Sequence, residues 1–319
     1  MENIDHNGIS GNPKSILYLD SYSTSRDKTQ LPEESPNFCV NQRLAKRAER
    51  KAKSLSMFQE LAGLNNESRG QYERAIRCGD IIEVSPDRIL KTWNYCNHRL
   101  CAVCHAIRQA RYIDKYSAII EGDDDWYFLT LTLPAIAAND LRERIDQMLK
   151  EFTCIVNAIK KHNSRNNPTQ SVNAMRKIEI GYSVQAGYTP HFHLLVEGKE
   201  IAELILKEWL QRFPDTFENA QDLKHLKEEG ELKEFFGYAI KLTVDSNRIP
   251  TENLDTILAA LKNKRTFQTY GKFYGVKVEE DPNKKSESYR SKDLSPGRYQ
   301  WDEDERNWID RTTGVLLVN

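Results

Sequence analysis

The chain has 319 residues, 39% of them hydrophobic and 29% charged, with a formal net charge of -1. That is enough apolar material for one large domain or two modest ones, and the near-zero charge excludes a chain that holds nucleic acid through bulk electrostatics alone. No run of eighteen apolar residues occurs, and Met1 to Leu17 lacks a basic region followed by an apolar run, so no membrane partner and no secretory leader are expected and the cytoplasm is the default compartment.

Residues 1–40 are polar, rich in Ser, Asn and Asp, carry Pro13, Pro32 and Pro36, and read as a mobile N-terminal arm. From Gln42 to Arg77 the pattern is helical and laced with Arg43, Lys46, Arg47, Arg50, Lys51 and Lys53. By themselves these charges describe a solvated face, with a DNA-facing one as the alternative. Cys78, Cys96, Cys101 and Cys104 follow, and a helix through Ile107, Arg108, Arg111 and Lys115 continues from them, so residues 41–122 read as one basic, helical, cysteine-rich module.

Trp126 to Leu133 alternates between Asp123–Asp125 and Pro134 and reads as a strand with Leu129, Leu131 and Leu133 on one side. Leu141, Ile145, Met148, Phe152, Ile155 and Ile159 recur at helical spacing behind Asn139 or Asp140 as cap, predicting a long helix that covers that side. Two strands come next, with Ile178, Ile180, Tyr182 and Val184, then Phe192, Leu194 and Val196, as their apolar sides, joined through Gly187 and Pro190 as a hairpin. Helices fit Ile201 to Phe213 and about Asp222 to Leu242, and a last strand fits Thr266 to Val278. Residues 123–280 therefore predict an α+β domain, an antiparallel sheet covered by helices on one face and open on the other. Residues 281–319 are a polar tail in which Trp301, Trp308 and the run Gly314 to Val318 point to a docked segment.

Three groups of side chains carry chemistry. Cys78-x17-Cys96-x4-Cys101-x2-Cys104 supplies four thiolates of the kind that close a tetrahedral structural Zn²⁺ site, with His98 and His105 available as substitutes, while Cys39 and Cys154 look incidental. A reduced, cytosolic setting favours metal ligation over disulfides. In the hairpin, His191 and His193 lie two apart and project from one face, and Glu179 shares the polar phase of the neighbouring strand, as Thr130 and Thr132 do in the first strand. Two imidazoles and a carboxylate suit a divalent ion with open positions, Mn²⁺ or more weakly Mg²⁺, and the alternative is surface polarity. In Glu231 to Lys241, Leu232, Phe235, Phe236, Ala239 and Ile240 form an apolar stripe, while Glu234, Tyr238 and Lys241 cluster on the other side of the helix. A phenol ionises near pH 10, so as a nucleophile it needs a cation nearby; as a lone residue it would be an ordinary surface tyrosine.

In order and spacing, Ala75 to Gly79, Cys96 to Cys104, Phe128 to Thr132, His191-Phe-His193, the Glu234 to Tyr238 pair with Lys241, and Arg265 with Gly271 and Lys272 resemble the plasmid rolling-circle replication initiators with a single catalytic tyrosine, within the His-hydrophobe-His (HUH) endonuclease superfamily. The likeness runs from about Lys51 to Gly275 and departs from the family pattern at Cys101-Ala-Val-Cys104, where a proline is common, and at Thr189, where a further histidine is common. It implies a metal-dependent endonuclease that nicks and joins one DNA strand through a 5′-phosphotyrosine. Tyr238 would be the nucleophile, Glu234 would activate water at termination, Glu179, His191 and His193 would hold the metal, and Lys241, Arg265 and Lys272 would bind DNA. The implied partners are origin DNA, as a hairpin or single-stranded nick site, and a host helicase and polymerase; self-association is left open. The alternatives are a mobilisation relaxase or single-strand transposase, and a zinc-containing DNA-binding regulator that cuts nothing.

Overall fold

A computed structural model describes residues 36–85, 88–92, 94–120, 125–166, 171–226, 232, 235–237, 243–244, 247–276 and 297–318. The expected arm lies outside these residues as far as Ser35, and Glu234, Tyr238 and Lys241 lie outside them too.

The architecture is mixed α+β, with antiparallel sheets and helices. In chain order the elements are α1 (Pro36–Gly63), α2 (Arg69–Ile76), β1 (Ile81–Ser85), β2 (Arg88–Thr92), α3 (Ala102–Ile120), β3 (Trp126–Thr132), α4 (Leu141–Asn166), β4 (Ala174–Ser183), β5 (Gly187–Glu197), α5 (Lys199–Arg212), β6 (Asp222–His225), β7 (Thr243–Val244), β8 (Asn247–Arg248), α6 (Thr251–Ala260), β9 (Phe267–Tyr270), β10 (Gly297–Asp302) and β11 (Asn307–Ile309). The main sheet has the order β6-β3-β5-β4-β9, with every pair antiparallel.

Alternation along the strands sorts its two faces. Leu129 and Leu131 of β3, Ile178 and Ile180 of β4, and Phe192 and Leu194 of β5 point to one side, where Leu141, Ile145, Met148, Phe152, Ile155 and Ile159 of α4 bury the predicted stripe against them. Phe152 meets Phe192 edge to face at 5.3 Å, and Trp209 of α5 lies 5.7 Å from the same ring. Val184 does not join that side. It is 79% exposed, because the chain turns at residues 184–186. Pro190, expected in the connection, stands inside β5 opposite Ile180. Its carbonyl accepts from the Leu133 N–H beyond the end of β3, so the missing N–H of Pro190 falls past the last β3–β5 pair.

The helical pattern of Gln42 to Arg77 is divided into α1 and α2 by residues 64–68, where Asn65 takes φ 51 and the Asn66 side chain accepts from the Ser68 N–H at 2.9 Å. The helix expected from Asp222 begins instead as β6, an edge strand on β3 with Thr130 opposite Asp222. Gln221 fixes it there by accepting from the Thr132 N–H at 2.7 Å and donating to the Thr132 carbonyl at 3.2 Å. Further on, Phe236 N–H donates to the Leu232 carbonyl at 3.2 Å, the bond of one helical turn.

A second sheet, β11-β10-β1-β2, joins the N-terminal third to the chain's last described segment. Ile82 pairs with Tyr299 and Val84 with Gly297. Trp301 and Trp308 meet at 4.8 Å and pack with Ile82, Val84, Leu44 and Ala48. Lys51 of α1 is buried beneath them, donating to the Cys78 carbonyl at 2.9 Å and to Asp80 at 2.7 Å, with its ammonium 5.2 Å from the Trp301 ring centre. Among the described residues, no helix is long and apolar enough to cross a membrane.

Candidate metal centre

The β4–β5 ladder sets Glu179 opposite His191 and Lys177 opposite His193, and β3 brings Thr130 opposite His193. All project from the face away from α4. Glu179 Oε1 lies 3.3 Å from His191 Nε2, and Glu179 Oε2 lies 3.3 Å from His193 Nε2. The three donor atoms fall within 4.8 Å of one another.

The outer ring nitrogens decide what these atoms present. His191 Nδ1 is 3.2 Å from the Thr189 carbonyl, which only accepts, so that nitrogen carries a proton and Nε2 is the one that can ligate a metal. His193 Nδ1 is 3.2 Å from Thr130 Oγ1, which can accept in the same way. Burial, which outweighs the neighbouring Glu179, pulls the His193 imidazole below its ordinary value. Burial alone would raise the Glu179 carboxyl. Its contacts with His191 and His193 and the charge of Lys177 outweigh that and hold it well below the usual carboxylate range. Two imidazole nitrogens, each 3.3 Å from a carboxylate oxygen, thus converge as a donor set that fits a divalent cation between them. Both second nitrogens are anchored by oxygen acceptors, as metal-ligating histidines usually are.

Lys177 was not singled out from the sequence. It is buried with Nζ 3.5 Å from Glu179 Oε2, and its position two residues before Glu179 in the strand was the available signal.

The face bearing the triad is divided. One half carries His191, His193, Glu179 and the two threonines. Its other half is apolar, with Trp126, Phe128, Met175 and Leu195 covered by Tyr116 and Ile120 of α3 and by Leu232, Phe235 and Phe236. Phe128 links the halves, 5.4 Å from the His193 ring and 6.0 Å from Phe235. Three residues of the expected tyrosine-helix stripe, Leu232, Phe235 and Phe236, are therefore buried over the triad's own face, and Gly237 ends that described stretch immediately before Tyr238.

Lys272 and Arg265 do not join the triad. Lys272 donates to Glu197 at 2.8 Å, at the other end of β5, and lies 4.8 Å from the Trp126 ring centre. Gly271 turns the chain there with φ +60; a Cβ would stand 2.6 Å from the Val172 carbonyl. Arg265 is exposed beside Gln268, at the β9 edge of the sheet.

The cysteines form a separate cluster. Sγ of Cys78 lies 3.5 Å from both Cys101 and Cys104, and Cys96 lies 3.7 Å from Cys104. Four thiolates around one Zn²⁺ at about 2.3 Å stand about 3.8 Å apart, so the group fits that ion closely. The Cys96 N–H points at Cys78 Sγ and the His98 N–H at Cys96 Sγ. Neither histidine completes the set. His98 packs edge-on to Phe58 at 4.8 Å and accepts from the Leu100 N–H, and His105 bonds to the Gly237 backbone; burial pushes both imidazoles down to about 4. Cys154 is exposed on α4.

Residues 87–200 match the family model Rep_1, replication protein. This part of the chain is similar to the Rep_1 replication proteins. The matched segment contains Cys96, Cys101 and Cys104 and the whole Glu179–His191–His193 group, and stops short of Tyr238. No curated protein and no solved structure matches the chain.

Proposed function

We propose that the chain initiates plasmid rolling-circle replication by nicking one strand of its origin with Tyr238 and remaining joined to it. The observation that carries this reading is the Glu179–His191–His193 group inside the Rep_1 segment, on a sheet face that also receives the chain leading into Tyr238.

A divalent cation held by Glu179, His191 and His193 would supply Lewis-acid polarisation of the scissile phosphate. The protein's own groups do the rest. Tyr238 loses its proton and its oxygen attacks phosphorus; the bond to the 3′ oxygen breaks, and that oxygen takes a proton and leaves as the 3′-OH that primes synthesis. The 5′-phosphate stays on the tyrosine. At termination Glu234 takes a proton from water, whose oxygen attacks the second scissile phosphate and displaces a 3′-OH; that 3′ oxygen attacks the phosphotyrosine, rejoining the strand and returning Tyr238 as the phenol, without need of a second tyrosine. Lys241, Arg265 and Lys272 contact the DNA backbone. The cysteine module of residues 41–122 holds structural zinc and supports the endonuclease domain of residues 123–280. Origin DNA is the direct partner, and host helicase and polymerase extend the freed 3′ end.

The test is incubation of the full chain with supercoiled plasmid carrying its own origin and Mn²⁺. Nicked plasmid with protein covalently attached to a 5′ end is expected. Origin binding with no cut strand under any divalent ion rejects the reading in favour of a DNA-binding regulator.

A further inference from the structure

We propose that a basic cleft beside the cysteine cluster holds the sugar-phosphate backbone of DNA, at a site separate from the nicking centre. Two adjoining hollows, of about 240 and 390 Å³, share Arg74 and Cys96 in their walls. Arg77, Asn94 and Tyr95 complete one; Asn97, Arg99 and Lys262 are among those lining the other. Four cations therefore converge, and no carboxylate lines either hollow among the described residues, in a chain whose net charge is -1. Asp255, behind Tyr72, is already committed, accepting from the Tyr72 hydroxyl and the Asn66 amide.

Arg99 is the clearest sign of a missing anion. Its Nη1 is buried and has no hydrogen-bond partner among the described residues, which for a guanidinium is costly. A phosphate would supply that partner. The cleft is also preformed. Asn94 and Asn97 take φ 60 and 53, and Arg108 donates to the carbonyls of Asn97, His98 and Arg99, fixing the loop that the cysteines anchor. Tyr95 is 43% exposed at the rim, its hydroxyl accepting from Arg47 at 3.2 Å, and offers a ring to a sugar or base. Cations with an aromatic neighbour and polar amides recognise a nucleic-acid strand; that the strand is DNA rests on the replication reading.

The test uses the full, zinc-loaded chain and labelled (dT)20 and a mixed-sequence 24-base-pair duplex, with affinity followed by fluorescence anisotropy across a salt series and no Mn²⁺ added, so that no cutting is involved. Arg74→Ala, Arg77→Ala and Lys262→Ala are combined; Arg74, Arg77 and Lys262 are all exposed. Loss of three phosphate contacts should weaken binding to at least one probe by roughly 10- to 100-fold and make its log–log salt slope shallower by about 2. The control removes the same charge from exposed Lys150, Lys160 and Lys207 of α4 and α5 and should leave the slope alone. Wild-type affinity and slope in the cleft variant for both probes, or equal losses in the control, overturn the proposal. A cleft variant that binds as wild type while the parent protein nicks origin plasmid rejects the cleft and leaves the nicking reading standing. The converse pair of results does the opposite.

Discussion

Thr130→Val isolates the support of one metal ligand. The two histidines are held differently: His191 Nδ1 bonds a main-chain carbonyl that no side-chain substitution removes, whereas His193 Nδ1 depends on the Thr130 hydroxyl at 3.2 Å. Valine keeps the volume and the β-branched shape, so the strand and its pairing with β5 should persist, and the change deletes one acceptor. Loss of such an outer partner typically weakens metal binding 10- to 100-fold, which is about 1.4–2.7 kcal/mol. Isothermal titration of Mn²⁺ into zinc-loaded protein measures it, and Thr130→Ser, which restores the hydroxyl, should recover most of the affinity. An Mn²⁺ dissociation constant within about twofold of wild type for Thr130→Val, with the fold intact by circular dichroism, would refute the assignment of His193 Nε2 as a ligand supported through Nδ1.

Protein purified without chelator should carry close to one zinc per chain by metal analysis, and Cys101→Ser or Cys104→Ser should lose it together with several degrees of thermal stability; well-folded wild type without zinc rules the site out. His191→Ala or His193→Ala should abolish nicking of origin plasmid while gel-shift affinity stays largely intact, because many backbone contacts share the binding; cutting at the wild-type rate with the same metal requirement removes the triad from the chemistry. Tyr238→Phe should eliminate both nick and covalent adduct, whereas Glu234→Gln should keep the first cut, accumulate tyrosine-linked DNA and yield replication products longer than one plasmid unit. A Glu234→Gln protein as inert as Tyr238→Phe would withdraw the termination role.

The elements most legible in the sequence were those whose period is enforced by burial on one side. The α4 stripe, β3 and the β4–β5 hairpin read out directly, and with them the convergence of Glu179, His191 and His193, because strand alternation and hairpin pairing leave little freedom in where those side chains go. What escaped was fixed by distant partners. β6 is a four-residue edge strand whose state is set by pairing to β3 and by the Gln221 clamp, neither of which has a local signature. β1 and β2 are short, and β1 finds its other neighbour near the end of the chain. Lys177 sat in the right phase but reads as solvent-facing until the fold buries it beside Glu179. Likewise, the cover over half of the triad's face comes from α3 and Phe235–Phe236, and no periodicity announces which surface an amphipathic stripe will meet.

The pairing of Ile82 with Tyr299 sets a timetable for biosynthesis. At about 5–20 residues per second, β1 leaves the ribosome roughly ten to forty seconds before β10 exists. During that interval β1 lacks a neighbour along one side, and Ile82 and Val84 lack the two tryptophans that later cover them. Unpaired, apolar strand edges recruit other chains. The N-terminal third of the nascent polypeptide is therefore exposed to aggregation until late in translation, and a premature stop codon between β9 and β10 makes that exposure permanent even though every residue of both metal clusters has been made.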